Sequence, residues 1–343
     1  MRVIPLVFLM ILAAVAPVLA QADNVADCAQ AARPDIGVIG CTAMITSGRA
    51  AGAELAAAYN NRGLAYRDLN KNRLAIKDFS GAIILDPKAA DFRSNRGVAY
   101  AALGEYQRAI ADYDDAIRMD PNYAGAYANR GNTYVDLEKY ALAITDYDRA
   151  VNLAPNDARV FYGRAIAFSL TGDHDSALQD YDRAISLASD FTDAYNNRGS
   201  TRAGLEQYEG AVQDFKKVIA LDPNDRFAIE NLGKAYAKLA WSQYLANDLP
   251  GTLRNIESAI AADTRFAVHF DDYGHVLAAV GRSENAVDAF ERAVQIGGPA
   301  YAKLYQQALR RHGYYRGTID GSFGRPVLRA LRRCIDKRCR LVK

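Results

Sequence analysis

Small and aromatic residues recur along this chain at helical spacing, and the whole pattern repeats every 34 residues. In residues 56–89, small residues stand at Gly63 and Ala75, and Phe79 follows one helical turn after Ala75. This spacing predicts two antiparallel helices, because small residues let helix axes approach closely while aromatic rings fill the groove beside them. Pro87 then ends the second helix. We therefore expect an all-α chain built from helix hairpins.

Seven consecutive segments fit this pattern. They are 56–89, 90–123, 124–157, 158–191, 192–225, 226–266 and 267–298. The sixth has a 7-residue insertion, because the small residue that closes its second helix comes late, at Ala259. Seven residues make about two helical turns, and we expect one extra turn on each helix of that hairpin. A fixed period of this length is typical of solenoids, in which each unit packs against the next.

With these motifs, residues 56–298 resemble the tetratricopeptide repeat (TPR) family. The resemblance implies a helix-hairpin solenoid wound as a right-handed superhelix, with a concave groove that takes a protein or peptide ligand. The four histidines show no metal-binding spacing, and the chain has no nucleophile elbow, phosphate loop or paired-carboxylate motif. We therefore expect no enzymatic activity, no cofactor and no bound metal.

An arginine recurs in each of the first five segments, and an aspartate follows it after 16 residues. The pairs are Arg62 and Asp78, Arg96 and Asp112, Arg130 and Asp146, Arg164 and Asp180, and Arg198 and Asp214. The sixth segment has Leu232 and Asn255 at these two positions, and the seventh has Tyr273 and Ala289. Because both charges are lost together, we predict structural ion pairs between the two helices of a hairpin. Five ligand-binding arginines are the alternative.

Asparagines form a second column, one position before the arginines. They are Asn61, Asn95, Asn129, Asn197 and Asn231, with Gly163 interrupting them and Asn132 adding to the same lining. The resemblance implies that this position faces the groove, where an amide can bond both the N–H and the C=O of an extended peptide. Hydrogen bonds that stack successive units are the alternative.

The first 20 residues are predicted to be a cleaved signal peptide, since Arg2 precedes an apolar run and small residues end at Ala20. We expect a periplasmic or otherwise exported location to follow from it, with a soluble mature chain that meets the membrane only through this peptide. Residues 21–55 are predicted to cap the solenoid, through an apolar helix from Ala29 to Ser47. In an exported chain the four cysteines predict two disulfides. They are Cys28, Cys41, Cys334 and Cys339, and local pairing is favoured among three possible arrangements.

Charge is distributed unevenly along the chain. Residues 300–343 contain 12 Lys and Arg against 2 Asp and Glu, whereas the rest contains 30 against 38. A tail of net +10 on a chain of net −8 predicts a basic module that is drawn to an anionic polymer or surface. Nucleic acid is not expected as that polymer, because the tail lacks a recognition motif and belongs to an exported chain.

The motifs of residues 300–343 resemble the peptidoglycan-binding-like family. They are the Leu304 to Leu309 helix, Gly313-Tyr314-Tyr315, Ile319-Asp320-Gly321 and Phe323-Gly324. The resemblance implies a glycan site formed by Tyr314, Tyr315, Arg316, Asp320, Phe323 and Arg325. The chain departs from the family at Val327, where a capping threonine is usual. A structural cap on the last repeat is the alternative.

Together these features predict an exported, non-enzymatic adaptor that binds a protein or peptide in its groove. Its basic module is expected to hold it to peptidoglycan in the cell wall. Two alternatives stay open. One is a pure interaction scaffold whose tail is only a cap, and the other is a non-catalytic subunit that positions a cell-wall enzyme.

Overall fold

The computed structural model describes residues 25–29 and 32–339. The predicted signal peptide lies outside these residues. The chain divides into two compact units, Met1–Leu187 and Ala188–Lys343, which we call unit 1 and unit 2 and describe separately. All regular secondary structure in the described residues is helical. None of the described helices is both long and apolar enough to cross a membrane.

Unit 1 contains a capping helix and four helix hairpins. The capping helix is α1 (Pro34–Thr46), and the hairpins are α2 (Gly52–Asp68) with α3 (Asn72–Leu85), α4 (Ala90–Ala101) with α5 (Tyr106–Met119), α6 (Ala124–Asp136) with α7 (Tyr140–Leu153), and α8 (Ala158–Thr171) with α9 (His174–Leu187). The two helices of a hairpin pack together, and α3, α5 and α7 each pack against the hairpin that follows. The first helices α2, α4, α6 and α8 also touch in sequence and so form one wall, which we call the inner wall.

Glycine permits the close approach of the two helices within a hairpin. A Cβ atom on Gly63 would lie 2.6 Å from the ring of Phe79, and one on Gly97 would lie 2.6 Å from the ring of Tyr113. Both rings are fully buried. A larger residue at either glycine would therefore force the helices apart, because a packed core tolerates little added volume.

The N-terminal capping helix is shorter than the predicted helix from Ala29 to Ser47. Helix α1 begins at Pro34, not at Ala29, and packs against α2. Proline favours the first turn of a helix, because its missing N–H would have no helical partner there. A disulfide joins Cys28 to Cys41 of α1, with their Cα atoms 4.4 Å apart.

Unit 2 contains three hairpins and a terminal helix. The hairpins are α10 (Thr192–Gly204) with α11 (Tyr208–Leu221), α12 (Arg226–Leu245) with α13 (Leu249–Ala262), and α14 (Ala267–Ala279) with α15 (Ser283–Arg311), and the terminal helix is α16 (Arg325–Asp336). Helix α15 is broken at Gly298, which has φ 68° and ψ −159°, and Pro299 starts the part that follows. Both residues favour such a break, since glycine adopts positive φ and proline cannot continue a helix.

The insertion of the sixth segment lies entirely in one helix. Helix α12 has 20 residues, whereas α13 has 14, the same length as α11. The prediction of one extra turn on each helix is therefore wrong. Each hairpin turn contains one residue with positive φ, at Asn70, Gly104, Glu138, Gly172, Glu206, Asn247 and Gly281. Asn247 lies further along the chain than the 34-residue period would place it, so the added residues precede the turn.

The basic C-terminal residues pack onto the last hairpin. Tyr305, Leu309, Val327 and Leu331 share one buried cluster with Phe290 of α15. Cys334 and Cys339 are paired at the end of α16, with their Cα atoms 5.1 Å apart. The residues from 300 to 339 thus cover the last repeat, as a terminal cap of a solenoid must.

Candidate functional site

The structure brings the members of all five arginine–aspartate pairs together. Arg62 donates from Nε to Asp78 Oδ2 at 2.6 Å and from Nη2 to Asp78 Oδ1 at 2.8 Å. Arg130 makes the same two bonds to Asp146, at 2.7 Å each. The other three pairs, Arg96 with Asp112, Arg164 with Asp180, and Arg198 with Asp214, repeat this forked geometry. Each fork joins the first helix of a hairpin to its second helix.

The third arginine donor reaches the preceding structural element, a contact that sequence reasoning missed. Nη1 of Arg62, Arg96, Arg130 and Arg164 donates to Thr42, Ser80, Asp114 and Asp148 respectively. A signal for it exists in the sequence, since Asp114 and Asp148 each end an Asp-Tyr-Asp triplet that begins with the aspartate of a fork. Each of these four arginines therefore joins the two helices of its own hairpin and also connects that hairpin to the helix that precedes it.

Aromatic rings from the same helix enclose the guanidinium groups. Arg130 lies 5.8 Å from the ring centre of Tyr127 and 5.9 Å from that of Tyr134, and Arg164 lies between Phe161 and Phe168 in the same way. The hydrogen bonds to Asp146 raise the pKa of Arg130 above its ordinary value. The arginines thus remain charged and engaged by the protein, which supports a role in the fold and leaves them little capacity to hold a ligand.

The last two hairpins have hydrogen bonds without an arginine, one within the sixth hairpin and one between the seventh hairpin and the sixth. Asn255 Nδ2 donates to Gln243 Oε1 at 2.7 Å, and Gln243 belongs to the two added turns of α12. The hydroxyl of Tyr273 donates to Glu257 at 3.0 Å, which links α14 to α13.

Amides of the asparagine column lie along the inner wall, between neighbouring first helices. Asn95 Nδ2 donates to Asn60 Oδ1 at 3.0 Å, and Asn129 Nδ2 donates to Ser94 Oγ at 3.2 Å. Each bond crosses from one hairpin to the one before it, as the stacking alternative requires. In the described part of the chain, Oδ1 of Asn95 and of Asn129 accepts no hydrogen bond. In both side chains Oδ1 is therefore available to accept a hydrogen bond from a ligand, whereas Nδ2 already donates to the preceding hairpin.

The other predicted amides have different surroundings. Asn61 Oδ1 faces Asn60 Nδ2 at 3.5 Å, and the exposed Asn132 accepts from the hydroxyl of Tyr147 at 2.5 Å. Asn197 and Asn231 lie half-buried on α10 and α12, in unit 2. The column is therefore divided, with four amides on the inner wall of unit 1 and two in unit 2.

Three residues of the predicted glycan site hold their own loop. Asp320 Oδ1 accepts from Gln306 Nε2 at 2.8 Å and from the N–H of Ser322 at 2.9 Å, and these bonds hold the pKa of Asp320 well below its usual range. The hydroxyl of buried Tyr315 donates to the carbonyl of Thr318 at 2.9 Å. Phe323 packs on Tyr305, with ring centres 5.8 Å apart.

The remaining three residues of that predicted site are more accessible. Arg316 and Arg325 are exposed, and neither side chain has a hydrogen bond or ion pair among the described residues. Tyr314 is half-buried, and its carbonyl accepts from Arg333. The structure therefore leaves two free cations and one partly covered ring at this surface. No group of three or more His, Cys, Asp or Glu in the described ranges could hold a metal ion.

Family models for tetratricopeptide repeats match four stretches of the chain, at residues 60–124, 131–172, 158–191 and 192–225. No curated protein matches. Among solved structures, the C-terminal part of a TPR repeat-containing protein from Cytophaga hutchinsonii is 18% identical and covers 75% of this chain and 97% of its own, with a TM-score of 0.56.

Two further structures are similar over a shorter length. YrrB, a TPR protein with an unusual peptide-binding site, is 27% identical and covers 54% of this chain and 92% of its own, with a TM-score of 0.45. MamA from Desulfovibrio magneticus is 22% identical and covers 51% of this chain and 99% of its own, also at 0.45. The predicted all-α fold of helix hairpins is confirmed. The predicted tetratricopeptide repeats are confirmed for residues 60–124 and 131–225.

Proposed function

We propose that this chain is a non-enzymatic adaptor whose inner wall in unit 1 binds an extended peptide of a protein partner. Proteins of the TPR fold are typically non-catalytic interaction scaffolds, which supports the general class. The observation that carries the proposal is the state of Asn95 and Asn129. Each amide donates to the hairpin before it and keeps a free oxygen on the wall of first helices.

The geometry suits a peptide backbone. The stacking bond fixes each side chain, so that its oxygen is positioned before a ligand arrives and little rotamer entropy is lost on binding. Packed helices lie about 8–10 Å apart, and an extended chain rises about 3.3 Å per residue. One amide oxygen would therefore meet a peptide N–H at about every third residue. Such contacts grip the backbone without selecting a sequence.

The experiment separates groove binding from stacking. A photoreactive benzoylphenylalanine placed at exposed Asn132 should cross-link a partner from an envelope extract, whereas the same residue at exposed Leu142, on the second helix α7, should not. Asn129→Ala removes the stacking bond and the groove oxygen together, whereas Ser94→Ala removes only the acceptor of that bond. We expect Asn129→Ala to reduce cross-linking and Ser94→Ala to leave it intact. Equal cross-linking of the two variants would indicate that the asparagines only stack successive repeats.

We infer that the protein works outside the cytoplasm. Support comes from the apolar N-terminal run and from the disulfides Cys28–Cys41 and Cys334–Cys339, which persist in oxidising compartments. The mature chain should begin at Gln21 when it is isolated from the producing cell. Mass spectrometry of the purified protein measures this, and an intact Met1 terminus would remove the main support.

A second candidate function is attachment to peptidoglycan through the basic C-terminal residues. The supporting observation is the pair of exposed cations Arg316 and Arg325, which lack partners in the described structure. Because Asp320 and Phe323 serve the fold of their own loop, we expect this attachment to be mainly electrostatic.

Cosedimentation with purified peptidoglycan tests the attachment. Electrostatic binding should weaken strongly between about 0.1 M and 1 M salt, as the screening length falls from about 10 Å to about 3 Å. Arg316→Ser with Arg325→Ser should reduce retention, whereas the matched charge loss of Lys71→Ser with Lys139→Ser in unit 1 should not. Equal retention of the two double variants would exclude a localised site.

A further inference from the structure

The added turns of the sixth repeat build one wall of a cavity in unit 2. The cavity has a volume of ≈ 470 Å³. Trp241, Tyr244 and Leu245 line it from the end of α12, and Val276 lines it from α14. Ile335, Arg338 and Cys339 close it from the C-terminal residues. The insertion, the last repeat and the terminal helix therefore meet at one place, which includes no residue of the asparagine column.

The cavity is apolar inside and open at its mouth. Buried Ile256 and Val276 form part of its lining, and the rings of Trp241 and Tyr244 are stacked with centres 5.5 Å apart. The outer wall is accessible, since Trp241 is 41% exposed, Tyr244 37% and Leu245 70%. A partner that covers this wall would bury apolar surface that water now contacts, which favours binding.

One charged side chain of the lining is uncommitted. Asp272 and His275 both have interactions within the protein, and His275 also lies 3.7 Å from Asp271. Arg338 has no side-chain hydrogen bond or ion pair in the described part of the chain, and the same holds for its neighbour Lys337. The charge that the mouth offers to a ligand is therefore positive.

We propose that this cavity is a docking site for a peptide segment that carries a large apolar side chain next to acidic residues. The apolar side chain enters between Trp241 and Val276, and the acidic neighbours face Arg338 and Lys337. Tryptophan, tyrosine and arginine are the residues that most often dominate the binding energy of protein interfaces. A peptide fits better than a free small molecule, because small-molecule sites enclose most of their ligand whereas this outer wall stays open.

Trp241 reports occupation directly, because it is the only tryptophan of the chain. The probe is a blocked peptide of sequence Glu-Glu-Leu-Phe-Glu-Leu, which contains no tryptophan. Binding should shift the emission of Trp241 to shorter wavelength in a saturable way, since burial removes water from the indole. The basic peptide Lys-Lys-Leu-Phe-Lys-Leu and the polar peptide Glu-Glu-Ser-Ser-Glu-Ser should bind more weakly. Equal titration curves for the acidic and basic peptides would overturn the proposal.

Two exposed residues supply variants that should not disturb the fold. Arg338→Ala should weaken the acidic peptide about threefold, as expected for a solvent-accessible charge pair, whereas Arg316→Ala is the control of equal charge and should bind like the parent. Leu245→Asn should weaken binding about tenfold through lost apolar contact. Unchanged affinity in both Arg338→Ala and Leu245→Asn would contradict the assignment.

Two other occupants have distinct signatures. If dodecanoate shifts the emission and no peptide does, the cavity takes a small amphipathic anion and the peptide proposal fails. If deletion of residues 340–343 alone changes the emission and creates peptide binding, the chain's own end occupies the cavity, and the proposal of a separate partner fails. Retained peptide binding in the full chain, unaffected by that deletion, supports the proposal.

Discussion

Replacing Arg130 by alanine is the most direct test of how the repeats are held together. The side chain of Asp146 is only 7% exposed and receives two bonds from Arg130, at 2.7 Å each. The third bond of Arg130 goes to Asp114, whose side chain is 46% exposed. Arg130→Ala would therefore leave one carboxylate buried without its partner and another one able to turn to water.

The two contacts differ in size for this reason. Breaking a buried ion pair by removing one partner costs about 3–5 kcal/mol, whereas an exposed pair contributes about 0.2–1 kcal/mol. We expect Arg130→Ala to lower the free energy of unfolding by about 3 kcal/mol, the lower end of the first range, because the guanidinium is only partly buried. Asp114→Ala alone should cost less than about 1 kcal/mol. The double variant Arg130→Ala with Asp146→Ala should recover much of the loss, because no unpaired carboxylate remains.

Urea unfolding followed by far-ultraviolet circular dichroism measures these differences. Trp241 belongs to unit 2, so its fluorescence transition shows whether unit 2 unfolds together with the rest of the chain. A coupling energy of about 1–3 kcal/mol between Arg130 and Asp146 is the expected result of the double-mutant cycle. Additive losses of unfolding free energy, or a loss below about 1 kcal/mol in Arg130→Ala, would refute the structural role of the arginines. Ligand binding would then be the better explanation of the arginine column.

Three further predictions test local features by the same unfolding assay. Glu138 has φ 57°, a left-handed conformation that is strained for any residue except glycine. Glu138→Gly should therefore stabilise the protein by about 0.5–1 kcal/mol, whereas the matched change Gly172→Ala, at φ 83°, should destabilise it. Burial lowers the pKa of His269 from its ordinary value, despite nearby Asp263 and Asp272, which raise it. The contribution of neutral His269 to the free energy of unfolding is therefore complete above the unfolded pKa and decreases as the pH falls below that value. His269→Gln should remove this part of the pH dependence of stability, and an unchanged profile would contradict the assignment. Gln306→Leu should lower the free energy of unfolding by about 2–3 kcal/mol, because buried Gln306 makes three hydrogen bonds to the loop that contains Asp320. A loss near zero would show that the loop is stable without these bonds.

The hairpins and most of their internal contacts could be predicted from the amino-acid sequence. Gly63 and Phe79 are 16 residues apart, as are Arg130 and Asp146, and both separations recur in the following repeats. A contact with a fixed local separation leaves a periodic pattern when a unit is repeated, so it can be identified in the primary structure. The charge asymmetry of the chain was equally visible, since composition needs no fold.

Contacts between different elements could be identified only in the folded structure. The position of the insertion in α12 depended on where the turn at Asn247 falls, and helix length alone could not assign it. The sequence predicted that Asp320 binds glycan, but in the structure Asp320 accepts a hydrogen bond from Gln306, 14 residues earlier, and so holds its own loop. The cavity needs Trp241 of α12, Val276 of α14 and Arg338, which follows α16.

The physical reason is the same in each case. A contact made once, between residues far apart in sequence, produces no repeat and no amphipathic period. It depends on how helices stack, which the shapes and bonds of many side chains decide together. The asparagine column shows both sides of this limit. Its period was evident in the sequence, but only packing showed that Asn95 and Asn129 direct their donors to the neighbouring hairpin and keep their oxygens free.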